Sequence, residues 1–191
     1  RGLGDVYKRQ GQGTDSLRND ENLTGTPFND SITGSAEPNT INTGDGEDQV
    51  DAGGGNDTIN TGNANDTVNA GEGNDTVDAG AGNDSVNGDS GTDTLNGGDG
   101  NDQLDGGDSN DILNGGEGTD SLEGDTGNDS LTGGNGTDTV VYSHASTGVT
   151  VNLSSGGASG GDGSDSLTGD ENVTGSDFGD TITGSSAANV V

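Results

Sequence analysis

The sequence predicts an all-β fold of short parallel strands stacked into a solenoid, because three features recur together every nine residues. An aspartate returns at every ninth position without a slip. An aliphatic residue stands two positions after each aspartate, and glycine stands two positions before nearly every one. The aspartates are Asp48, Asp57, Asp66, Asp75, Asp84, Asp93, Asp102, Asp111, Asp120, Asp129 and Asp138. The aliphatic residues are Val50, Ile59, Val68, Val77, Val86, Leu95, Leu104, Leu113, Leu122, Leu131 and Val140. Such regularity indicates a repeat architecture.

The repeat block covers residues 43–141 and has the form GGxGxDxUx, where U is aliphatic. Glycine permits the backbone angles of tight turns. The three residues around U alternate outward, inward and outward, so each unit contains a very short strand with U facing the core. Two nonapeptides then make one coil. Eleven units predict five and a half coils, roughly 26 Å of stack at about 4.8 Å per coil.

A longer repeat flanks this block. Residues 15–34 reappear at 165–184, which pairs Asp15 with Asp165 and Phe28 with Phe178. We therefore expect the chain to be part of a longer tandem array. Residues 1–10 hold three of the four basic residues, and we interpret them as a non-native assembly scar, with a short native linker as the alternative. The remaining divisions are an N-terminal flank or cap repeat (11–42), the block (43–141), a hairpin with a glycine-rich loop (142–164), and the start of a second module (165–191).

Two segments after the block, 139–143 and 148–153, alternate apolar and polar residues. This alternation predicts a β-hairpin. We expect Val149, Val151 and Leu153 of that hairpin to cover the open end of the stack.

The glycine-rich residues 156–163 are predicted to form a flexible loop. Residues 160–167 then carry one more copy of the nonapeptide consensus, and residues 11–17 are its counterpart at the other end.

The composition restricts the classes of function. Acidic residues number 35 against four basic ones, which gives a formal net charge of −31. Such a charge argues against nucleic acids and anionic membranes as partners and favours cations. No apolar run is long enough to span a membrane. The chain has no cysteine, so it has neither a disulfide nor a thiolate metal site.

Repeats of the same parity stack on one side, which brings the aspartates into two columns. Like charges at ~5 Å repel by roughly 0.8 kcal/mol in bulk water and several times more near a protein surface. The columns therefore require cations between their carboxylates. Five gaps in the longer column and four in the shorter predict about nine ions. The longer column holds Asp48, Asp66, Asp84, Asp102, Asp120 and Asp138, and the shorter holds Asp57, Asp75, Asp93, Asp111 and Asp129.

The available ligands identify the cation. They are carboxylates and main-chain carbonyls of the glycine turns, which are hard oxygens without sulfur or regular histidine. Irregular oxygen cages with many ligands suit Ca²⁺ better than Mg²⁺, which prefers tight octahedra and retains its water. The turn carbonyls are expected around Gly44, Gly46, Gly53, Gly55, Gly71, Gly73, Gly80, Gly82, Gly98, Gly100, Gly116 and Gly118.

This nonapeptide resembles the repeats-in-toxin (RTX) family, closely over residues 43–141 and more loosely in the flanks. The resemblance implies calcium held in glycine-rich turns between stacked coils, and folding in the millimolar calcium outside the cell. The fold we predict is a right-handed parallel β-roll with two nonapeptides per coil and a β-hairpin cap segment. The function we predict is that of a calcium-binding structural module of a secreted bacterial protein. The alternative is a calcium-rigidified extender of a large cell-surface adhesin, in contact with neighbouring modules of the same parent chain.

Four turns depart from the pattern. Ala64 and Ser109 replace the second turn glycine, and Asp89 and Asp125 replace the first. We expect those turns to bind more weakly or with distorted geometry.

Two flanking turns depart further. Thr26 and Phe28 precede Asp30, and Ser176 and Phe178 precede Asp180, where glycines would be expected. We expect Asp30 and Asp180 to cap the solenoid without forming full sites, with each phenylalanine packed over its end.

Other interpretations of the sequence are weaker. A disordered acidic segment would not keep a perfect period. Outward Thr58, Thr67, Thr76 and Thr94 could form a threonine ladder of the ice-binding kind. We favour a plain solvated face, because Gln49, Ser85, Gln103 and Ile112 interrupt that series. His144 is expected at the surface rather than as a ligand. An enzyme is not favoured, because the carboxylates are periodic and no aromatic-lined cleft is indicated.

Overall fold

The computed structural model describes the backbone of residues 14–16 and all of residues 22–190. These residues form strands and no helix, and therefore no helix that could span a membrane. The segment 1–10 and most of the repeat copy at 11–17 lie outside the described residues. The strands are β1 (Thr14–Ser16), β2 (Asn22–Thr24), β3 (Ser31–Ser35), β4 (Thr40–Asp45), β5 (Gln49–Gly53), β6 (Thr58–Asn63), β7 (Thr67–Glu72), β8 (Thr76–Ala81), β9 (Ser85–Ser90), β10 (Thr94–Asp99), β11 (Gln103–Asp105), β12 (Ile112–Gly118), β13 (Ser121–Glu123), β14 (Ser130–Gly136), β15 (Thr139–Val141), β16 (Thr150–Asn152), β17 (Gly157–Gly160), β18 (Gly163–Thr168), β19 (Asn172–Thr174) and β20 (Thr181–Thr183).

The strands stack into two sheets that together make a β-solenoid of about seven turns. The nine-stranded sheet has the order β1-β3-β5-β7-β9-β11-β13-β15-β19. The eleven-stranded sheet has the order β2-β4-β6-β8-β10-β12-β14-β18-β17-β16-β20. Consecutive strands alternate between the sheets across the block, and neighbours pair in parallel with a shift of 18 residues, as Thr58 does with Thr76. The predicted all-β β-roll with two nonapeptides per coil is confirmed.

The aliphatic residue of every repeat lies in the core between the two sheets. All eleven are at most 2 % exposed. Leu23, Ile32 and Ile41 continue this core before the block, and Leu167 and Val173 continue it afterwards. Because side chains alternate along a strand, the flanking residues of each U point to solvent and only one large apolar side chain per nonapeptide is needed.

The turns depend on left-handed backbone angles at the position four residues before each aspartate. Every residue there has a positive φ, from 54° at Asp125 to 114° at Gly116. The non-glycine residues of the departing turns also have a positive φ: it is 67° at Asp89, four residues before Asp93, and 82° and 87° at Ala64 and Ser109, which stand two residues before Asp66 and Asp111. These residues therefore keep a left-handed backbone, and Ala64 and Ser109 carry the strain that glycine would avoid. Weaker or distorted binding at these turns stays a prediction.

The hairpin is present, but its predicted strand pairing was wrong. Strand β15 belongs to the solenoid, where it pairs in parallel with β13 and β19. Strand β16 instead pairs antiparallel with β17, which lies within the segment predicted to be a flexible loop. The two strands insert between β18 and β20, so one sheet is two strands longer than the other. Val149 and Val151 are buried, whereas Leu153 is only partly buried.

The outward threonines are arranged differently from the sequence expectation. Thr40, Thr58, Thr76 and Thr94 occupy consecutive rungs of the eleven-stranded sheet, followed by Ile112. The interrupting residues Gln49, Ser85 and Gln103 lie on the other sheet, together with Thr67. Residues nine apart lie on different sheets, so the residues named as interruptions do not interrupt the threonine series at these four rungs. That argument against a threonine ladder was therefore wrong here.

Candidate metal-binding columns

The structure brings the predicted aspartates into the two expected columns, buried between successive coils. Each of the eleven is at most 3 % exposed. The Oδ1 atom of each accepts a hydrogen bond from the backbone N–H of the residue one coil earlier. Between Asp66 Oδ1 and Asp48 N the distance is 2.8 Å, and between Asp84 Oδ1 and Asp66 N it is 2.7 Å. One oxygen of every carboxylate thus ties adjacent coils together.

The second oxygen has no such role. Within the described residues, the Oδ2 atoms of all eleven aspartates are buried without a hydrogen-bond partner. A buried acceptor without a partner costs about 1–3 kcal/mol, and more when it is charged. No lysine or arginine occurs after Arg18, so no such side chain between residues 22 and 190 can neutralise these oxygens. Two periodic columns of unpartnered, negatively charged oxygen fit bound cations.

Main-chain carbonyls of the turns also lie between the coils. A Cβ added to Gly98 would collide with the carbonyl oxygen of Gly80, and one added to Gly100 would collide with that of Gly82. The same relation holds between Gly71 and Gly53. The predicted turn glycines therefore stack on one another, so glycine is required both for its backbone angle and for the close approach of the carbonyl.

Burial controls the protonation of the columns. It raises the pKa of Asp84 to about 6 and the pKa of Asp111 to about 7, from an ordinary value of 3.8. The hydrogen bond from the preceding coil opposes this rise, and the charges of neighbouring aspartates add to it. In the absence of a cation the stacked coils favour protonated carboxyls, because charged ones are separated from water.

Four flanking turns are closed by a side chain instead. In each, a serine or threonine stands four residues before the column residue and contributes its backbone N–H. Thr26 donates to Asp30 Oδ2 from its N at 2.7 Å and from its Oγ1 at 3.0 Å. The pairs are Thr26 with Asp30, Ser35 with Asn39, Ser176 with Asp180, and Ser185 with Asn189. The Oδ2 atoms of Asp30 and Asp180 therefore already accept protein hydrogen bonds, and it stays a prediction that these residues form no full site. Asn39 and Asn189 were missed, although Asn39 lies nine residues before Asp48 and Asn189 lies nine residues after Asp180.

The two phenylalanines do not cover the ends. Phe28 is 54 % exposed and Phe178 is 55 % exposed, so the prediction that they pack over the solenoid was wrong.

Beyond the block, the columns continue with altered partners. Asp165 Oδ1 accepts the N–H of Asp129 at 3.1 Å, while its Oδ2 accepts the Tyr142 hydroxyl at 2.9 Å. Glu171 takes the place of the next aspartate after Asp138. Asp170, outside the register and missed by sequence reasoning, is 7 % exposed, and neither of its oxygens has a hydrogen-bond partner. Burial and the charge of Asp138 raise the pKa of Asp170 to about 7.

A separate acidic group lies outside the columns. His144 Nδ1 is 3.0 Å from Glu123 Oε1 and 3.8 Å from Asp125 Oδ1, and the histidine side chain is 68 % exposed. Burial, followed by the charges of Asp125 and Glu123, raises the pKa of nearby Asp105 to about 6. His144 is a surface residue, as expected.

Comparison with known protein families agrees with this geometry. The model of the RTX calcium-binding nonapeptide repeat matches residues 24–59, 52–86, 60–95, 87–122 and 114–142. No curated protein matches the chain. The matches cover most of the chain, including all eleven aspartates of the columns. The chain belongs to the RTX calcium-binding nonapeptide repeat family.

Proposed function

We propose that this chain is a calcium-dependent structural module of a secreted bacterial protein, which folds on export into millimolar calcium. The observation that supports it is the set of eleven buried Oδ2 atoms without a partner. A fold that buries so many uncompensated carboxylates is disfavoured in low calcium and stabilised when cations bind. RTX repeat proteins are typically secreted, and the family's β-roll is a structural repeat domain rather than a catalytic one.

The proposed ligands are the column aspartates and the turn carbonyls. An aspartate within a column would serve the ions on both sides, and one at an end would serve fewer. About nine ions are proposed from the gaps between successive aspartates of the block. Binding should be steep in calcium, because each coil is stabilised by its neighbours.

Circular dichroism in the far ultraviolet tests this proposal. Metal-stripped protein at pH 7.5 should be mostly disordered in excess chelator and become β-rich in millimolar calcium. Magnesium at the same concentration is the matched control and should be much less effective, because it retains its water and prefers a tight octahedron. A chain that is fully folded in chelator, or that folds equally well in magnesium, would contradict the proposal.

The second candidate is an extender repeat of a cell-surface adhesin. It is favoured by the closed turns, which occur at the same place in both copies of the longer repeat: Thr26 with Asp30, and Ser176 with Asp180. Both turns stack on the same solenoid, so successive modules could continue one rod.

Small-angle scattering from two tandem modules in calcium tests the rod. The maximum dimension of the tandem pair should be nearly twice that of one module. In chelator, the scattering should become that of a disordered chain. A pair of modules that is compact or freely jointed in calcium would contradict the extender function without affecting the calcium-dependent fold.

A further inference from the structure

The C-terminal end of the longer column contains a cluster that the nine-residue pattern does not predict. We propose that Asp138 and Asp170, together with the carbonyl of Gly169, form an additional calcium site there. The inference rests on the proposed function, because it applies the same ligand chemistry to a position where the repeat is broken.

The first argument is burial without partners. Asp138 is fully buried and Asp170 is 7 % exposed. Oδ2 of Asp138 and both carboxylate oxygens of Asp170 are buried and have no hydrogen-bond partner. The backbone amides of Thr168 and Gly133 face Asp170 and lower its pKa, but neither meets its carboxylate with the distance and angle of a hydrogen bond. Three acceptor oxygens at one end of the column are therefore unsatisfied by the protein.

The second argument is that Asp138 and the Gly169 carbonyl meet at one turn. A Cβ added to Gly133 would lie 2.7 Å from Asp138 Oδ2 and 2.7 Å from the Gly169 carbonyl oxygen. A regular turn shows the same pair of neighbours: a Cβ on Gly88 would lie 2.6 Å from Asp93 Oδ2 and 2.5 Å from an equivalent carbonyl. Gly169 thus takes the place of the next turn glycine, and Asp170 follows it directly in the chain.

The third argument is that Glu171 and Asp170 together supply the two roles of one column aspartate. A column aspartate accepts an N–H with Oδ1 and leaves Oδ2 free. Here Glu171 Oε2 accepts the N–H of Asp138 at 3.0 Å, which is the first of these roles. Asp170 supplies the unpartnered oxygens, which is the second. The same Asp-Glu pair occurs in sequence as Asp20 and Glu21 in the other copy of the longer repeat.

The charge of the cluster determines the class of ligand. Asp138, Asp170 and Glu171 place three carboxyl groups at this end of the column, and no lysine or arginine follows Arg18. His144 faces Glu123 and Asp125 instead. Hard oxygen ligands of mixed carboxylate and carbonyl type, in an irregular arrangement, suit Ca²⁺.

Native mass spectrometry of the full chain in calcium tests the site by counting ions. Asp170→Asn should bind one ion fewer than the wild type. Asp177→Asn removes the same charge from an exposed aspartate nearby and should bind as many ions as the wild type. An unchanged count in Asp170→Asn would overturn the site, provided that the wild type binds calcium. A wild type that binds none would instead contradict the proposed function.

A measurement on the wild type makes the test independent of the variant's folding. Crystals grown with terbium in place of calcium should show an anomalous peak between Asp138 and Asp170, in addition to those along the columns. Peaks along the columns with none at this position would overturn the site.

Discussion

Asp84 allows the two roles of a column carboxylate to be separated, because its oxygens face different partners. Oδ1 accepts the N–H of Asp66 at 2.7 Å, whereas Oδ2 is the unpartnered oxygen that we propose as a calcium ligand. Asp84→Asn keeps an acceptor in the Oδ1 position but replaces Oδ2 with an amide group that cannot bind a cation. Asp84→Ala removes both functions.

The expected losses follow from these contacts. In saturating calcium, Asp84→Asn should lower the free energy of unfolding by about 1.5–3 kcal/mol for each ion that Oδ2 serves, the range for one charge-assisted interaction. Asp84→Ala should lose about 1–3 kcal/mol more, because the buried N–H of Asp66 is left without an acceptor. A calcium titration would conceal most of this: if about nine ions bind together, 3 kcal/mol moves the midpoint by less than about twofold.

Urea unfolding at fixed, saturating calcium, followed by circular dichroism, is therefore the suitable assay. The expected order of stability is wild type, Asp84→Asn, Asp84→Ala. Asp51→Asn, at an exposed position of the same sheet, is the control and should stay within about 0.5 kcal/mol of the wild type. If Asp84→Asn matches the wild type, Oδ2 is not a ligand. If the two Asp84 variants are equally unstable, the bond to Asp66 contributes nothing.

Three further predictions concern acid, strain and the closed turns. Without calcium, the β-structure measured by circular dichroism should increase as the pH falls from 7.5 to about 4.5. Burial raises the pKa of the column carboxyls in the folded state from 3.8 to about 6 to 7, so the folded state loses stability as the pH rises through those values. A chain that stays disordered over this whole pH range would contradict the prediction. Ala64→Gly should raise the free energy of unfolding, measured in urea, by about 0.5–1 kcal/mol, because it relieves the φ of 82° at this position. Ala81→Gly, at a position without a positive φ, should lower the free energy of unfolding, and equal effects of the two substitutions would refute the strain. The Thr26→Gly variant, alone or with Phe28→Gly, should bind one calcium ion more than the wild type, as counted by native mass spectrometry. Ser35→Gly should bind no additional ion, because the column residue of its turn, Asn39, is neutral. An unchanged ion count in the Thr26 variants would show that the closed turn does not exclude the ion.

The sequence alone determined the repeat and the chemistry of its main sites. A period of nine, with one inward aliphatic residue per unit, leaves the solenoid as the only arrangement that buries such a narrow core. The 18-residue pairing and the two aspartate columns follow directly from that period. The expected ligand class also follows from the sequence, because carboxylates and carbonyls are the oxygens that the turns contain.

The tertiary structure decided where the period is broken and how each oxygen is used. Local alternation could not show that β16 pairs with β17, because either neighbour satisfies the pattern of an amphipathic hairpin. Periodicity could not find Asp170, which lies outside the register and becomes buried only when the chain returns beside Gly133. Nor could residue type show that Thr26 saturates Asp30 while Gly44 leaves Asp48 Oδ2 without a partner. These distinctions depend on distances between residues of different coils, and a linear pattern does not contain them.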